Sequence, residues 1–209
     1  TQSIINSNGE ATIRTLVNSA QGRCTGAHFG TYDYTASCDL IAAHQLMDSP
    51  VCDFARHVMK VALMGTGIFI SDGATNVMPV GPHRASEGGT LDPVQIQENV
   101  ETVHNAWKLD YDHIMHSLKH GFYQGWDLHP AQLPIRYAAC YTFFLESYLE
   151  SATRLRNFVE KAAQATLSGD VFDDAATGQG LLNYFLRALN CGAISDKELK
   201  LTPLSLDEI

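Results

Sequence analysis

Three short apolar runs, each followed by a stretch of helical periodicity, constrain this 209-residue chain more than any other feature. The runs are Cys24-Thr25-Gly26-Ala27-His28-Phe29, Ile68-Phe69-Ile70 and Phe122-Tyr123-Gln124-Gly125-Trp126. Each is too short for a buried helix and bounded by glycine or polar turn residues, so each reads as a strand. Strand followed by helix, three times over, implies parallel strands joined by crossover helices, hence an α/β fold. An eight-stranded barrel usually takes about 250 residues. With three legible strands, the chain reads as part of a barrel or as a small three-layer sheet domain with added helices.

The helices are legible from their punctuation. A short helix is expected over residues 10–20, and a second over 38–47, stopped by Asp48-Ser49-Pro50. Pro50 at a first helical turn restarts the chain as a third helix. Val51, Phe54, Ala55, Val58, Val61 and Ala62 form its expected apolar stripe. Residues 74–91 hold three Gly and two Pro without a period and read as a long loop. Asp92-Pro93 then opens a long helix whose stripe is Ile96, Val100, Val103, Trp107, Tyr111, Ile114 and Leu118. Gly121 stops it. Pro134 begins another long helix, with Ile135, Ala138, Leu145, Leu149, Ala152, Leu155 and Val159 on one face. A break at Ser168-Gly169-Asp170 leads to a last helix over 174–190, closed by Gly192, and to a loosely packed tail from Asp196. The expected domains are therefore a partial barrel, 1–167, and a helical extension, 168–209.

Charge and cysteine usage exclude several functions. Fourteen Lys+Arg against twenty-three Asp+Glu give a net charge of −9 with no basic run. Nucleic acid and anionic membrane surfaces are poor partners for such a chain, because phosphates need clustered cations. No apolar stretch reaches the roughly 18 residues of a membrane span. The amino end carries neither a signal sequence nor an initiator Met, which suggests processing or truncation. Cys24, Cys38, Cys52, Cys140 and Cys191 are odd in number and form no C-x-x-C pair, as expected of reduced thiols in a cytoplasmic protein. There is no G-x-G-x-x-G, no phosphate-loop G-x-x-x-x-G-K and no G-x-S-x-G elbow, so nucleotide hydrolysis and serine-hydrolase chemistry have no support.

Ligands in α/β sheets and barrels meet the carboxyl ends of the strands. Here those ends carry Gly30-Thr31-Tyr32-Asp33-Tyr34, Ser71-Asp72-Gly73 and Asp127-Leu128-His129-Pro130. Three carboxylates and a histidine converge on one rim if the strands are parallel and adjacent. By position alone Asp33 reads first as a turn former or helix N-cap, and Asp72 before Gly73 as a turn pair. Asp127 and His129 read equally as rim residues or as a local hydrogen-bonded pair. His113, His116 and His120 lie within two turns of the long helix, but no carboxylate joins them at ligand spacing, so they read as a solvated or rim face. His28 reads as a core histidine, and His83-Arg84 as an exposed pair, with contact to an anionic substrate as its functional alternative.

The strand ends carry a family resemblance. Gly30-Thr31-Tyr32-Asp33-Tyr34-Thr35-Ala36-Ser37 resembles the Gly-x-x-Asp-Leu segment of the HpcH/HpaI aldolase and citrate lyase β-subunit superfamily. The run from Phe54 through Ser71-Asp72-Gly73 resembles the next helix and strand, which often end in Asp-Gly. Gly121 to Gln132 resembles the Gly-Phe-x-Gly-Lys-x-x-Ile-His-Pro-x-Gln segment, with the Lys replaced. Three motifs in order cover residues 23–132, and their fuller wording is similar to an uncharacterised aldolase/citrate-lyase-like subfamily.

The resemblance implies an α/β fold that is the carboxyl-terminal portion of a TIM (β/α)8 barrel with extra C-terminal helices. It also implies a divalent ion, Mg²⁺ or Mn²⁺, held by a Glu and an Asp on successive strand ends. Asp33 matches the Asp, and Gly30, Thr31 and Tyr32 would approach the substrate. The Glu has no match, because Glu10 is the only acidic residue ahead of Asp33 and falls in the first expected helix. The chain is accordingly expected to be a piece of a longer enzyme, its active site incomplete. The implied activity is a carbon–carbon lyase or aldolase of the phosphoenolpyruvate/pyruvate type, acting on a small 2-oxo acid or acyl-CoA-type substrate. Asp72, Asp127 and His129 are its expected catalytic rim. Two rivals stand beside it: a non-catalytic half barrel docking on a partner, and a malate-synthase-like acyl condensing enzyme. Expected association is with a second copy or with the missing barrel half.

Overall fold

The computed structural model describes residues 1–168, 175–200 and 202. It forms two compact units, Thr1–Arg136 and Tyr137–Ile209. The division falls inside a helix near Arg136, whereas the sequence places it at residue 167.

The first unit is α/β. Helix α1 (Ile13–Ser19) leads to β1 (Gly26–His28), and α3 (Pro50–Leu63) leads to β2 (Phe69–Ser71). The two strands pair in parallel, with Ala27 opposite Ile70 and His28 opposite Ser71. The third expected strand is not one. Residues 122–126 run beside the turn that follows β2 and exchange two backbone bonds with it. Asp72 N donates to Gln124 O (2.8 Å) and Trp126 N to Gly73 O (3.4 Å). The sheet therefore has two strands. Gly125, as a weak strand former, faces the Arg136 guanidinium instead of a packed neighbour.

Between β1 and α3 the expectation of a loop and then a helix over 38–47 is reversed. Helix α2 (Thr31–Ser37) begins directly after Gly30, and a single 3₁₀ turn, Ala42–His44, follows. Propensity hides α2, because Thr, Tyr, Asp and Ser are indifferent helix formers. Packing supplies it: Thr31 and Thr35, one turn apart, are both buried, and Thr35 Oγ1 donates back to Thr31 O (2.8 Å). Asp39, with φ 62°, breaks the chain where the second helix was expected to run.

Pro50 opens α3 as expected, but the buried face is rotated. Phe54 and Val61 from the expected stripe are 54% and 68% exposed, while Cys52, Ala55, Arg56, Met59 and Leu63 face inward. Cys52, Ala55 and Met59 pack with Ile4 and Phe29 into the core of this unit. Helix α4 (Pro93–Lys119) starts at Asp92, whose side chain accepts from Gln95 N (2.9 Å) while Gln95 Oε1 accepts from Asp92 N (3.1 Å), a capping box. Gly121, at φ 78°, ends it as expected. Its stripe is buried only in the second half: Ile96 and Val100 are exposed, and Ala106, Ile114 and Leu118 are inside with Asp110, His113 and Ser117. Asp53 of α3 meets His116, and Lys60 meets the carbonyls of His120 and Gly121. The loop 74–91 is tied to α4 by His83 and Asn99, which exchange bonds of 2.9 and 3.0 Å.

The second unit is helical. The single helix expected from Pro134 is two, α5 (Leu133–Glu146) and α6 (Tyr148–Ser168), broken at Ser147, whose hydroxyl bonds back to Phe143 O (3.4 Å). Helix α7 (Ala175–Asn190) ends ahead of Gly192, at φ 76°. Gly169, Asp170 and Asp174, named in the expected break and helix start, lie outside the described residues. Phe144, Tyr148, Leu155, Leu181 and Phe185 centre the core. The tail is not loose at its start. Helix α8 (Asp196–Leu199) buries Leu199 in that core, and Tyr148 Oη donates to Glu198 O (2.6 Å). None of the five cysteines forms a disulfide. Among the described residues no helix is long and apolar enough to cross a membrane.

Candidate functional site

The ends of the two strands and the segment beside them come together around His28, Ser71 and Trp126. The His28 ring stacks on Trp126 at 3.9 Å, and its Nδ1 lies 3.3 Å from Ser71 Oγ. Burial lowers the imidazole pKa below its ordinary value, partly countered by the Asp72 carboxylate. His28 is thus a rim histidine and not the core residue expected from its neighbours.

Asp33 sits in the first turn of α2, where a carboxylate complements the helix dipole. It is exposed, and its carboxylate oxygen lies 3.4 Å from the point a Cβ on Gly30 would occupy. A cavity of about 350 Å³ opens beside it, lined by His28, Phe29, Gly30, Tyr34 and Met59, with Asp33 its one acidic wall residue among the described residues. Thr31 and Tyr32 do not line this cavity. Thr31 is buried, with its hydroxyl 3.1 Å from Met47 Sδ. Tyr32 Oη donates to Ala74 O (2.9 Å) and accepts from Asn76 N (3.0 Å), tying α2 to the loop after β2.

Asp72 is not exposed on the rim. It is 0% exposed and forms an ion pair with Arg56, itself 1% exposed. Arg56 Nη1 donates to both carboxylate oxygens (2.9 and 2.8 Å), Gly73 N to Oδ1 (2.8 Å) and Ser117 Oγ to Oδ2 (2.5 Å). Arg56 Nη2 reaches Met47 O and Asp53 Oδ1, each at 2.6 Å. Burial alone would lower the Arg56 pKa, but Asp72 and Asp53 outweigh it and raise it. This pair fastens β2, α3 and α4 to one another. Gly73 is required beside it, since a Cβ there would collide with Thr31 Oγ1 and Met47 Sδ.

Asp127 and His129 are not hydrogen-bonded to each other. Arg136 Nε donates to Asp127 Oδ2 (2.6 Å), while Asp127 Oδ1 is buried without a hydrogen-bond partner. His129 Nδ1 accepts from Ala131 N (3.1 Å) and caps the turn Pro130–Gln132. Gln132, fully buried, accepts from Leu128 N and His129 N and donates to Thr75 O (2.9 Å). Sequence reasoning missed the roles of Arg136 and Thr75; Thr75 acts through contacts 38 and 57 residues away, to His113 and Gln132, whereas Arg136 acts on Asp127 only nine residues before it.

The three histidines of α4 do not form a solvated face. His113 is buried, its Nδ1 3.0 Å from Thr75 Oγ1 and its Nε2 unpaired at 3.7 Å from Asp48 Oδ1. Asp110, one turn earlier, is buried too, and burial raises its carboxyl pKa. His116 and His120 are half-buried against α3, where His116 Nε2 lies 2.8 Å from Asp53 Oδ1. The i, i+4 histidine spacing is visible in sequence, but Asp53 is 63 residues away and only packing supplies it.

Burial lowers the His113 pKa below its ordinary 6.5, with Asp48 acting against it. The unfolded chain therefore takes up this proton first as pH falls. The stability tied to neutral His113 is full above about 6.5 and is lost as the pH drops through the lower folded value. Urea midpoints of wild type and His113→Asn should differ in slope below pH 6.5, with the wild type losing more. Parallel curves would count against this assignment.

A sequence profile described as Domain of unknown function (DUF6986) matches residues 1–209. The chain belongs to the DUF6986 family. No curated protein and no solved structure matches it.

Proposed function

We propose that this DUF6986 chain contributes to a metal-dependent carbon–carbon lyase or aldolase acting on a small 2-oxo acid or acyl-CoA-type substrate. In this reading its first unit is the carboxyl-terminal portion of a TIM barrel. The observation that carries it is the exposed Asp33 carboxylate beside Gly30 at the mouth of a 350 Å³ cavity on the carboxyl side of β1. The motif resemblance around Asp33, Asp72 and Asp127 gives the chemistry its class.

Asp33 supplies one carboxylate here, and Mg²⁺ or Mn²⁺ take one or two carboxylates and keep waters for exchange with substrate oxygens. Asp33 would hold the ion, which would supply Lewis-acid charge stabilisation to a substrate carbonyl oxygen. Gly30 leaves the backbone open to the substrate. His28 on the rim is positioned to accept a proton, and its stacking on Trp126 fixes the ring. Asp72, closed off by Arg56, acts as a positioning residue for the β2 turn. Asp127 and His129 order the loop that follows Trp126.

Pyruvate titrated into the protein with Mn²⁺, followed by water-proton relaxation, tests this. Binding should require Mn²⁺, and Asp33→Asn should weaken it by at least the ~10–100-fold of a lost outer partner. Undiminished Mn²⁺-dependent binding in Asp33→Asn would remove Asp33 from the mechanism.

A further inference from the structure

The junction of α3 with the carboxyl end of α4 holds a cluster that the strand-end reading does not use. Asp53, His116 and His120 each offer a ligand atom, and all three atoms lie within 4.8 Å of one another. The 2.8 Å between His116 Nε2 and Asp53 Oδ1 fits two cis ligands of an ion about 2.0–2.2 Å from each. His120 Nδ1 donates to His116 O at 2.8 Å, which leaves the lone pair on Nε2. A backbone carbonyl fixing the tautomer in this way is the usual outer support of a ligating histidine. The His116 and His120 rings are 4.2 Å apart and half-buried, so an ion can reach both from solvent.

The charges are compatible. Asp53 Oδ1 is held by His116 Nε2 (2.8 Å) and Arg56 Nη2 (2.6 Å), which orients the carboxylate toward the histidines. Arg56 is paired with Asp72 as well as with Asp53. Lys60 Nζ caps the carbonyls of His120 and Gly121 (2.9 and 2.8 Å), where the helix end is partially negative.

We infer that Asp53, His116 and His120 form a binding site for a first-row divalent transition metal ion of the Zn²⁺ type. Two imidazoles and one carboxylate select such ions, whereas Mg²⁺ takes oxygen ligands. The ion replaces the His116 Nε2 proton, which moves to Nδ1, and links α3 to α4. Its remaining coordination positions are open to water or an anionic ligand.

The test uses the full chain, free of affinity tags and stripped with a chelator. Zn²⁺ is titrated by calorimetry and Co²⁺ by visible absorption. One ion per chain should bind, and Asp53→Asn and His120→Gln should each weaken it ~10–100-fold or more. Asp33→Asn should leave it unchanged, which separates this site from the proposed lyase site. Millimolar Mg²⁺ should not compete. Circular dichroism checks that the variants fold. If they do not, the wild-type histidine ring resonances decide: Zn²⁺ should shift His116 and His120 and leave His83 and His104 unmoved. No saturable binding, unchanged affinity in both folded variants, effective Mg²⁺ competition, or shifts confined to other histidines would each overturn the site.

Discussion

Arg56→Leu should cost the protein about 3–5 kcal/mol, against a total stability of roughly 5–15 kcal/mol for a folded domain. Leu fills much of the same volume, so the loss is electrostatic. It leaves the Asp72 carboxylate at 0% exposure with Ser117 and Gly73 as donors but without its counter-charge. It also frees Met47 O, which accepts from Arg56 at 2.6 Å. Urea unfolding would show the midpoint falling steeply. Replacing both partners, Arg56→Met with Asp72→Leu, should recover part of the loss, because an apolar pair leaves no buried charge. A single-variant loss near the ~1 kcal/mol of an average substitution would mean that the pair does not hold the strand end together.

Phe185→Ala should cost about 3–5 kcal/mol, the range for truncating a buried aromatic. Phe185 is 0% exposed in the core of the helical unit, edge-on to Tyr184 at 5.0 Å and to Tyr148 at 6.4 Å. Deleting the ring removes its burial and both edge-to-face contacts. Phe185→Leu keeps most of the volume and should lose less than about 1.5 kcal/mol. Thermal unfolding of the two variants separates them. Equal midpoints would show that the ring does not organise this core.

Much of the fold is legible in the sequence because its signals are local. Pro50, Asp92-Pro93, Gly121 and Gly192 mark helix boundaries through backbone constraints that hold in any context. The aperiodic run 74–91 forms no helix or strand, as Gly and Pro without a period require. The pair of parallel strands follows from alternation of strand and helix. What failed depended on distant partners. Helix α2 exists because Thr31 and Thr35 are buried, which no propensity records. Arg56, absent from the expected stripe of α3, is buried against Asp72. Residues 122–126 have a strand's composition but bond to Asp72 and Gly73, past the end of β2.

The candidate sites divide in the same way. Asp33 after β1 was readable, since strand ends and helix starts are marked in sequence, and the structure places it at a cavity mouth. Asp72 was readable as a strand-end carboxylate, but its burial was not. Spacing alone put His116 and His120 on one helix, while their carboxylate came from another. The sequence by itself determined where helices begin and end, that two strands lie parallel, and which polar groups follow them, because these depend on neighbours within a few residues. Only the tertiary structure decided which charges are buried and which side chains share a site. Those are set by desolvation and packing between segments far apart in the chain.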